Sequence, residues 1–197
     1  MSKAAELAAL IGSQTALSNR NLIINGAMTV SQRGTSETGV TSGKYANAPD
    51  RFRIGMYDCG TWTASQSTTT PDGFANSYKL NCTTAKATLA SDSNIQFFQR
   101  LEGQDLQQLQ KGTSGAKSLT VSFYVRTNKT GTYTLELFDR DNNRVFSKTY
   151  SVSSADTWEY KSVTFEGDTT GAFDSDNAVS LDVSWWLAAG TDFTGGT

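Results

Sequence analysis

Val179-Ser180-Leu181-Asp182-Val183-Ser184-Trp185-Trp186-Leu187 alternates apolar and polar side chains without a break, apart from its paired tryptophans. A strand repeats every two residues, so Val179, Leu181, Val183, Trp185 and Leu187 share one face and Ser180, Asp182, Ser184 and Trp186 the other. The first is a core face. The second sets the indole of Trp186 among the small polar side chains of Ser184 and Asp182. A flat apolar plate flanked by hydrogen-bonding groups is a surface on which a sugar ring stacks, so these three residues are candidate ligand contacts.

The same period recurs upstream. In residues 119–127, Leu119, Val121, Phe123 and Val125 face inward and Thr120, Ser122, Tyr124 and Arg126 outward, and Asn128-Lys129-Thr130-Gly131 turns the chain back. Residues 132–139 bury Tyr133, Leu135 and Leu137, Asp141-Asn142-Asn143 makes the next turn, and residues 144–152 and 159–165 complete a meander. Phe123, Leu135, Val163 and Trp185 are core positions. Tyr124, between Ser122 and Arg126, is a second outward aromatic and joins the candidate ligand contacts.

The first half is less regular. Residues 21–28, Asn21-Leu22-Ile23-Ile24-Asn25-Gly26-Ala27-Met28, set a short apolar strand against an Asn-Gly turn, and residues 32–48, rich in Gly, Ser and Thr, read as a long loop. Strands are expected at 51–56, 61–66 and from 78, with Thr70-Pro71-Asp72-Gly73 as a turn. Residues 95–101 form a strand that places Phe97 and Phe98 on opposite faces and runs into a short helix at 105–110, with Asp105 as its N-cap and Gly112 as its stop. No long amphipathic helices separate the strands. The fold class is therefore all-β, an antiparallel jelly-roll β-sandwich.

Ahead of it, residues 4–11 place Leu7, Leu10 and Ile11 at helical spacing and Gly12 ends the run. A two-turn helix is marginal alone in water, so these three residues are expected to dock, as an assembly interface, on a partner beyond the domain. Residues 13–21 read as a polar linker. The expected division is an anchor over 1–20 and a sandwich over 21–197.

Composition narrows the chemistry. A net charge of -2 over 197 residues leaves no basic footprint for nucleic acid. Histidine is absent, which removes the usual base of serine and cysteine hydrolases and the commonest zinc ligand. Cys59 and Cys82 are too far apart for a metal knuckle and too few for a disulfide framework, so they are either reduced core residues or one bridge. No run of apolar residues is long enough to span a bilayer, and no membrane insertion is expected. Asp139-Arg140-Asp141-Asn142-Asn143 and Asp174-Ser175-Asp176-Asn177 offer oxygen ligands for a hard cation, but lack the Gly and distal Glu of an EF-hand and read as turns. Glu102, Asp105, Glu136, Glu159 and Glu166 could supply a glycosidase pair, yet nothing in their spacing pairs any two. No catalytic residue, metal site or cofactor is expected.

Several separated stretches, in order, resemble a family of bacteriophage virion proteins, the tail fibre and tail-fibre-like proteins of marine cyanophages and related podoviruses. They are residues 21–28, Gln32-Arg33-Gly34-Thr35, Asp50-Arg51-Phe52, Gln99-Arg100-Leu101-Glu102-Gly103, residues 117–125, Gly131-Thr132-Tyr133 and Trp185-Trp186-Leu187-Ala188-Ala189-Gly190. The resemblance implies a sandwich similar to carbohydrate-binding modules, a place in the virion after synthesis in the bacterial host cytoplasm, and contact with host-surface glycans. Other virion proteins would hold the N-terminal segment, and fibre symmetry makes a homo-oligomer, a trimer, the expected assembly. Relatives continue past a segment like residues 191–197 into further strands, so the expectation is either a sandwich that lacks its final strands or an edge completed by another chain. Two rival classes remain: a capsid decoration or head–tail connector protein with no ligand, and a polysaccharide depolymerase.

Overall fold

The computed structural model describes residues 2, 3, 5, 21–46 and 48–194; Leu7, Leu10 and Ile11, and with them most of the expected anchor helix and linker, lie outside the described residues. Ten strands run through the described part: β1 (Ser36–Val40), β2 (Phe52–Tyr57), β3 (Thr61–Ser67), β4 (Ser77–Thr84), β5 (Asn94–Glu102), β6 (Leu119–Val125), β7 (Gly131–Asp139), β8 (Arg144–Val152), β9 (Glu159–Phe165) and β10 (Val179–Ala189). All their pairings are antiparallel. One layer is a five-stranded sheet in the order β2-β5-β10-β7-β8, and the other consists of a three-stranded sheet β1-β3-β4 beside the pair β6-β9. The all-β sandwich is thus the observed fold.

Alternation builds the interior. The inward residues of β10, Leu181, Val183 and Trp185, are buried with Leu135 and Leu137 of β7 and Phe52 of β2. Across the gap, Phe123 of β6 meets Trp185 edge to face at 5.5 Å and Tyr150 of β8 at 5.0 Å. A second cluster, Val40, Ile54, Met56, Ala64 and Ile95, lies under β1-β3-β4. Tyr78 packs on both clusters and touches Phe97, whose ring stacks on Phe52 at 4.9 Å. These rings tie the two halves of the second layer to one five-stranded floor.

Five expectations are corrected. Residues 119–165 do not form a meander: β6 pairs with β9 in one layer while β7 and β8 form a hairpin in the other, because the apolar faces of the two pairs pack on each other across the core, as Phe123 does on Tyr150. Residues 21–28 form a turn, not a strand, because Asn25 takes a left-handed φ of 59° and its side chain bonds Val30 and Asp50, outside any ladder. The apolar residues there still pack on the core, held by the buried amide of Gln99, which donates to Ile24 O and accepts from Ile24 N at 2.8 Å each. The loop over 32–48 contains β1, a polar edge strand whose pairing with β3 slips between Glu37 and Val40, near Gly39 at φ 62°. Its lack of apolar periodicity reflects a strand that buries little. The helix at 105–110 is two 3-10 turns, Gly103–Asp105 and Gln107–Leu109, with Asp105 inside the first and capping nothing; Leu106 between them is fully buried. Finally, the cysteines are free, Cys59 buried and Cys82 exposed, so the second is not a core residue.

The two Asp/Asn runs converge. Asp139 is fully buried and accepts from Asn142 N and Nδ2, while Asp141 accepts from Asp174 N at 3.0 Å. Their cation is a side chain. Lys111 Nζ lies 2.6 Å from Asp139 Oδ2 and 3.0 Å from Asp168 Oδ2, and donates to Thr170 O and Gly171 O at 2.8 and 2.6 Å. Desolvation would raise the Asp168 carboxyl, but the Thr170 N–H, Lys111 and Arg144 outweigh it and hold its pKa below the usual range. Among the described residues no group of three His, Cys, Asp or Glu is placed to hold a metal ion.

Candidate functional site

Because β10 is the middle strand of five, its outward residues have neighbours on both sides. Asp182 faces Arg100 of β5 and Phe138 of β7; Ser184 faces Phe98 and Glu136; Trp186 faces Gln96 and Thr134. On β2, Arg53 stands opposite Phe98 and Gly55 opposite Gln96. Short side chains on the central strand flanked by tall ones make a trough. Ser184 and Asp182 form its floor and are buried there, which corrects the expectation that they stand at a solvent-facing surface.

A groove of about 180 Å³ opens on this face toward β2, lined by Tyr45, Gly55, Gln96, Phe98, Arg100, Arg140 and Asp182 among others. Tyr45, half exposed at 50%, comes from the loop before β2 and stands edge to face on Phe98, with 6.5 Å between ring centroids. Gly55 makes room for both rings, since a Cβ there would come within 3.1 Å of Phe98 Cε1 and 3.8 Å of Tyr45 Cε1. Arg140 donates Nε to Asp182 Oδ2 at 2.9 Å and adds a second bond from Nη2. Arg100 Nε forms an ion pair with Asp182 Oδ1 at 3.5 Å.

Trp186 is half-buried at the far end of the trough. One side of its indole is taken by Phe193, at 5.4 Å between centroids, so it is less open than strand alternation alone suggests. Beside it, burial raises the Glu136 pKa; the Trp186 N–H opposes this from beyond hydrogen-bond range, and the Asp182 charge adds to it. Of the five carboxylates considered from sequence, Glu136 lies on this face. Glu159 serves structure, accepting from Ser153 N and Ser154 N at 2.8 Å each and pairing with Lys161.

Tyr124 is elsewhere. It projects from β6 on the outside of the second layer, on the far side of the sandwich from Trp186, 44% exposed. There it meets Tyr160 of β9, 58% exposed, at 5.3 Å and Phe74 at 5.7 Å. The rest of that face is a ladder of hydroxyl pairs, Ser122 with Ser162 at 3.0 Å and Thr120 with Thr164 at 2.8 Å. The four candidate ligand contacts therefore belong to two opposite surfaces, three on the trough and one outside β6.

Sequence reading missed Tyr45, Gln96, Arg100 and Arg140 as site residues, and left open which of Phe97 and Phe98 stands on the outer face; it is Phe98. The period-2 pattern of β5 contained Gln96, Phe98 and Arg100 on one face, but only the pairing of β5 with β10 places that face beside Asp182. Tyr45 carries no such signal.

No family's sequence pattern matches this chain, and no curated protein matches it. Among solved structures, it is similar to the enzymatically active domain of bacteriophage CBA120 tailspike protein 4, with a TM-score of 0.51 and 12% identity over 86% of this chain. That match spans 19% of the tailspike chain, so this chain accounts for about a fifth of its length. Weaker likenesses are to a structure described as "CBM4 structure and function" (TM-score 0.46, 17% identity, 84% of this chain and 88% of that one) and to a family 16 carbohydrate-binding module (0.38, 13%, 84% and 87%). At these identities the tailspike likeness is one of fold, in agreement with the antiparallel sandwich described above.

Proposed function

We propose that this protein is a glycan-contacting β-sandwich module of a bacteriophage particle, in a tail fibre or similar appendage, and that the trough over β5 and β10 is its binding surface. The observation that carries the reading is the combination in one groove of an upright half-exposed ring, Tyr45, with side chains able to bond sugar hydroxyls, Gln96, Asn94, Arg100 and Arg140. Apolar ring faces with a few convergent polar groups are the usual make-up of a saccharide or small-ligand cleft. Asp182 pairs with two arginines and Glu136 is half-buried beside Trp186, so we assign the trough to binding and not to bond cleavage. Within this reading residues 1–20 anchor the module to other virion proteins, and copies associate as a fibre trimer.

The test is adsorption of the full chain to host envelope polysaccharide. Tyr45→Ala is expected to weaken binding about tenfold, equivalent to about 1.4 kcal/mol, with an unchanged unfolding midpoint. Equal binding by wild type and variant would remove the trough from consideration, and release of reducing ends during the assay would revive the depolymerase reading. A second reading, a particle protein without a ligand, is favoured by the exposed cluster of Phe74, Tyr124 and Tyr160, because aromatic rings are also frequent interface anchors. Its mark would be association of purified protein that is lost in Tyr124→Ala while glycan binding is absent throughout.

A further inference from the structure

Asp182 is nearly inaccessible, and the two guanidiniums beside it keep 33% and 37% of their side-chain surface, for Arg100 and Arg140 respectively. Each guanidinium also lies over a ring of its own strand region, Arg100 above Phe98 at 5.3 Å and Arg140 above Phe138 at 5.1 Å. A ring below and a carboxylate between fix where both forks point. An arginine has five N–H donors; Asp182 takes two from Arg140 and, at 3.5 Å, holds Arg100 by charge without a hydrogen bond. Both side chains line the groove.

The charges there do not cancel. Three arginines, Arg100, Arg140 and Arg53, the last across from Phe98 and without an ion pair among the described residues, stand against two carboxylates, Asp182 and Glu136. Lys44 at the rim is offset by Glu37 at 3.8 Å. A neutral sugar placed over the groove would desolvate this excess positive charge without balancing it, whereas an oxyanion would balance it through charge-assisted bonds roughly twice as strong as neutral ones. We propose that the trough selects an acidic saccharide, whose oxyanion is held between Arg100 and Arg140 while its ring rests against Tyr45. This rests on the glycan reading above and specifies the ligand class of the same site.

The whole-protein charge sharpens the test. With a net charge of -2, the protein as a whole repels polyanions, so their binding reports a local site and not general attraction. The full chain is titrated with a uronate polymer, polygalacturonate, with a sulfated polymer, dextran sulfate, and with neutral dextran and laminarin. Binding at least about tenfold tighter to either acidic polymer than to the neutral ones, weakened as salt rises from about 50 to about 500 mM, is the expected result. The two acidic arms tell a carboxylate from a sulfate ester as the preferred oxyanion. Arg100→Ala should abolish the preference. Arg100→Lys, which keeps the charge and removes the fork, should reduce it with an unchanged unfolding midpoint, and Lys129→Ala should leave it intact. Neutral polymers binding as tightly as acidic ones would overturn the acidic preference and leave the glycan reading standing; binding to none of the four would overturn both.

Discussion

The outer face of β10 and the outer face of β6 start from the same kind of sequence, small polar residues alternating with core residues and ending in an aromatic, yet they become different surfaces. On β6, which pairs only with β9, Ser122 and Thr120 find hydroxyl partners of their own size and the face stays flat and wet. On β10, which pairs on both sides, Ser184 and Asp182 sink beneath Phe98, Arg100, Phe138 and Glu136. An outward residue thus gains or loses solvent according to the height of its cross-strand neighbours, and a trough forms where a central strand carries short side chains. The charged residue on that floor, Asp182, is paired with two arginines, since burying a charge alone is costly; on a flat face water supplies the partner.

The comparison breaks most visibly at Asp182. Asp182→Ala leaves two guanidiniums without their shared carboxylate, and because these are one-third exposed the cost should be about 1–3 kcal/mol, below that of a fully buried pair. Urea unfolding measures it, and a cost indistinguishable from zero would mean that the trough is not preorganised. Next is Gly55→Val, whose side chain must enter the space shared by Tyr45 and Phe98. Glycan affinity should fall about tenfold with a stability change near or below 1 kcal/mol, and retained affinity would place the ligand away from β2.

Glu136 gives a smaller, pH-dependent signal. Its folded pKa is raised, so it takes up a proton as pH falls from neutral while ordinary surface carboxylates remain ionised. The groups nearest it are the Asp182 carboxylate, which works in the same sense, and the Trp186 indole on β10; Ser184 and Ser147 are its cross-strand partners. Protonation removes a negative charge from the trough, so affinity for an acidic saccharide should rise modestly, by about two- to threefold, between neutral pH and the range where the saccharide itself titrates. Glu136→Gln should flatten that profile, and an unaltered slope would dissociate Glu136 from the site. The smallest effect belongs to the other face: Ser122→Ala should change stability by no more than about 0.5 kcal/mol, as for an exposed surface position, and should leave glycan binding untouched.

How much of this was legible beforehand follows from the range of the interactions involved. Strands β6 to β10 were readable because each sets apolar residues on one face and polar residues on the other, a period that a short window contains. Residues 21–28 misled because their apolar side chains do reach the core, but from a turn pinned by Asn25 and the Gln99 amide, and a side chain 75 positions away leaves no local trace. Strand β1 escaped because an edge strand needs little apolar surface. At the site, Trp186, Ser184 and Asp182 were found by alternation, while Tyr124, found by the same rule, fell on the opposite surface. The rule says which way a residue points relative to its own strand and nothing about which sheet that strand joins.

By itself the sequence determined the all-β class, the β7–β8 hairpin and the inward set of Phe123, Leu135, Val163 and Trp185, because those depend on hydrophobic periodicity within single strands and on the turn between neighbours. Only the tertiary structure decided that β5 and β7 flank β10, and therefore that Asp182 is enclosed by two arginines, that Phe98 and Tyr45 stand over the same groove, and that Tyr124 belongs to another face. Strand order is set by the summed packing of a whole layer, and a sum over distant pairs cannot be read from any one stretch of chain.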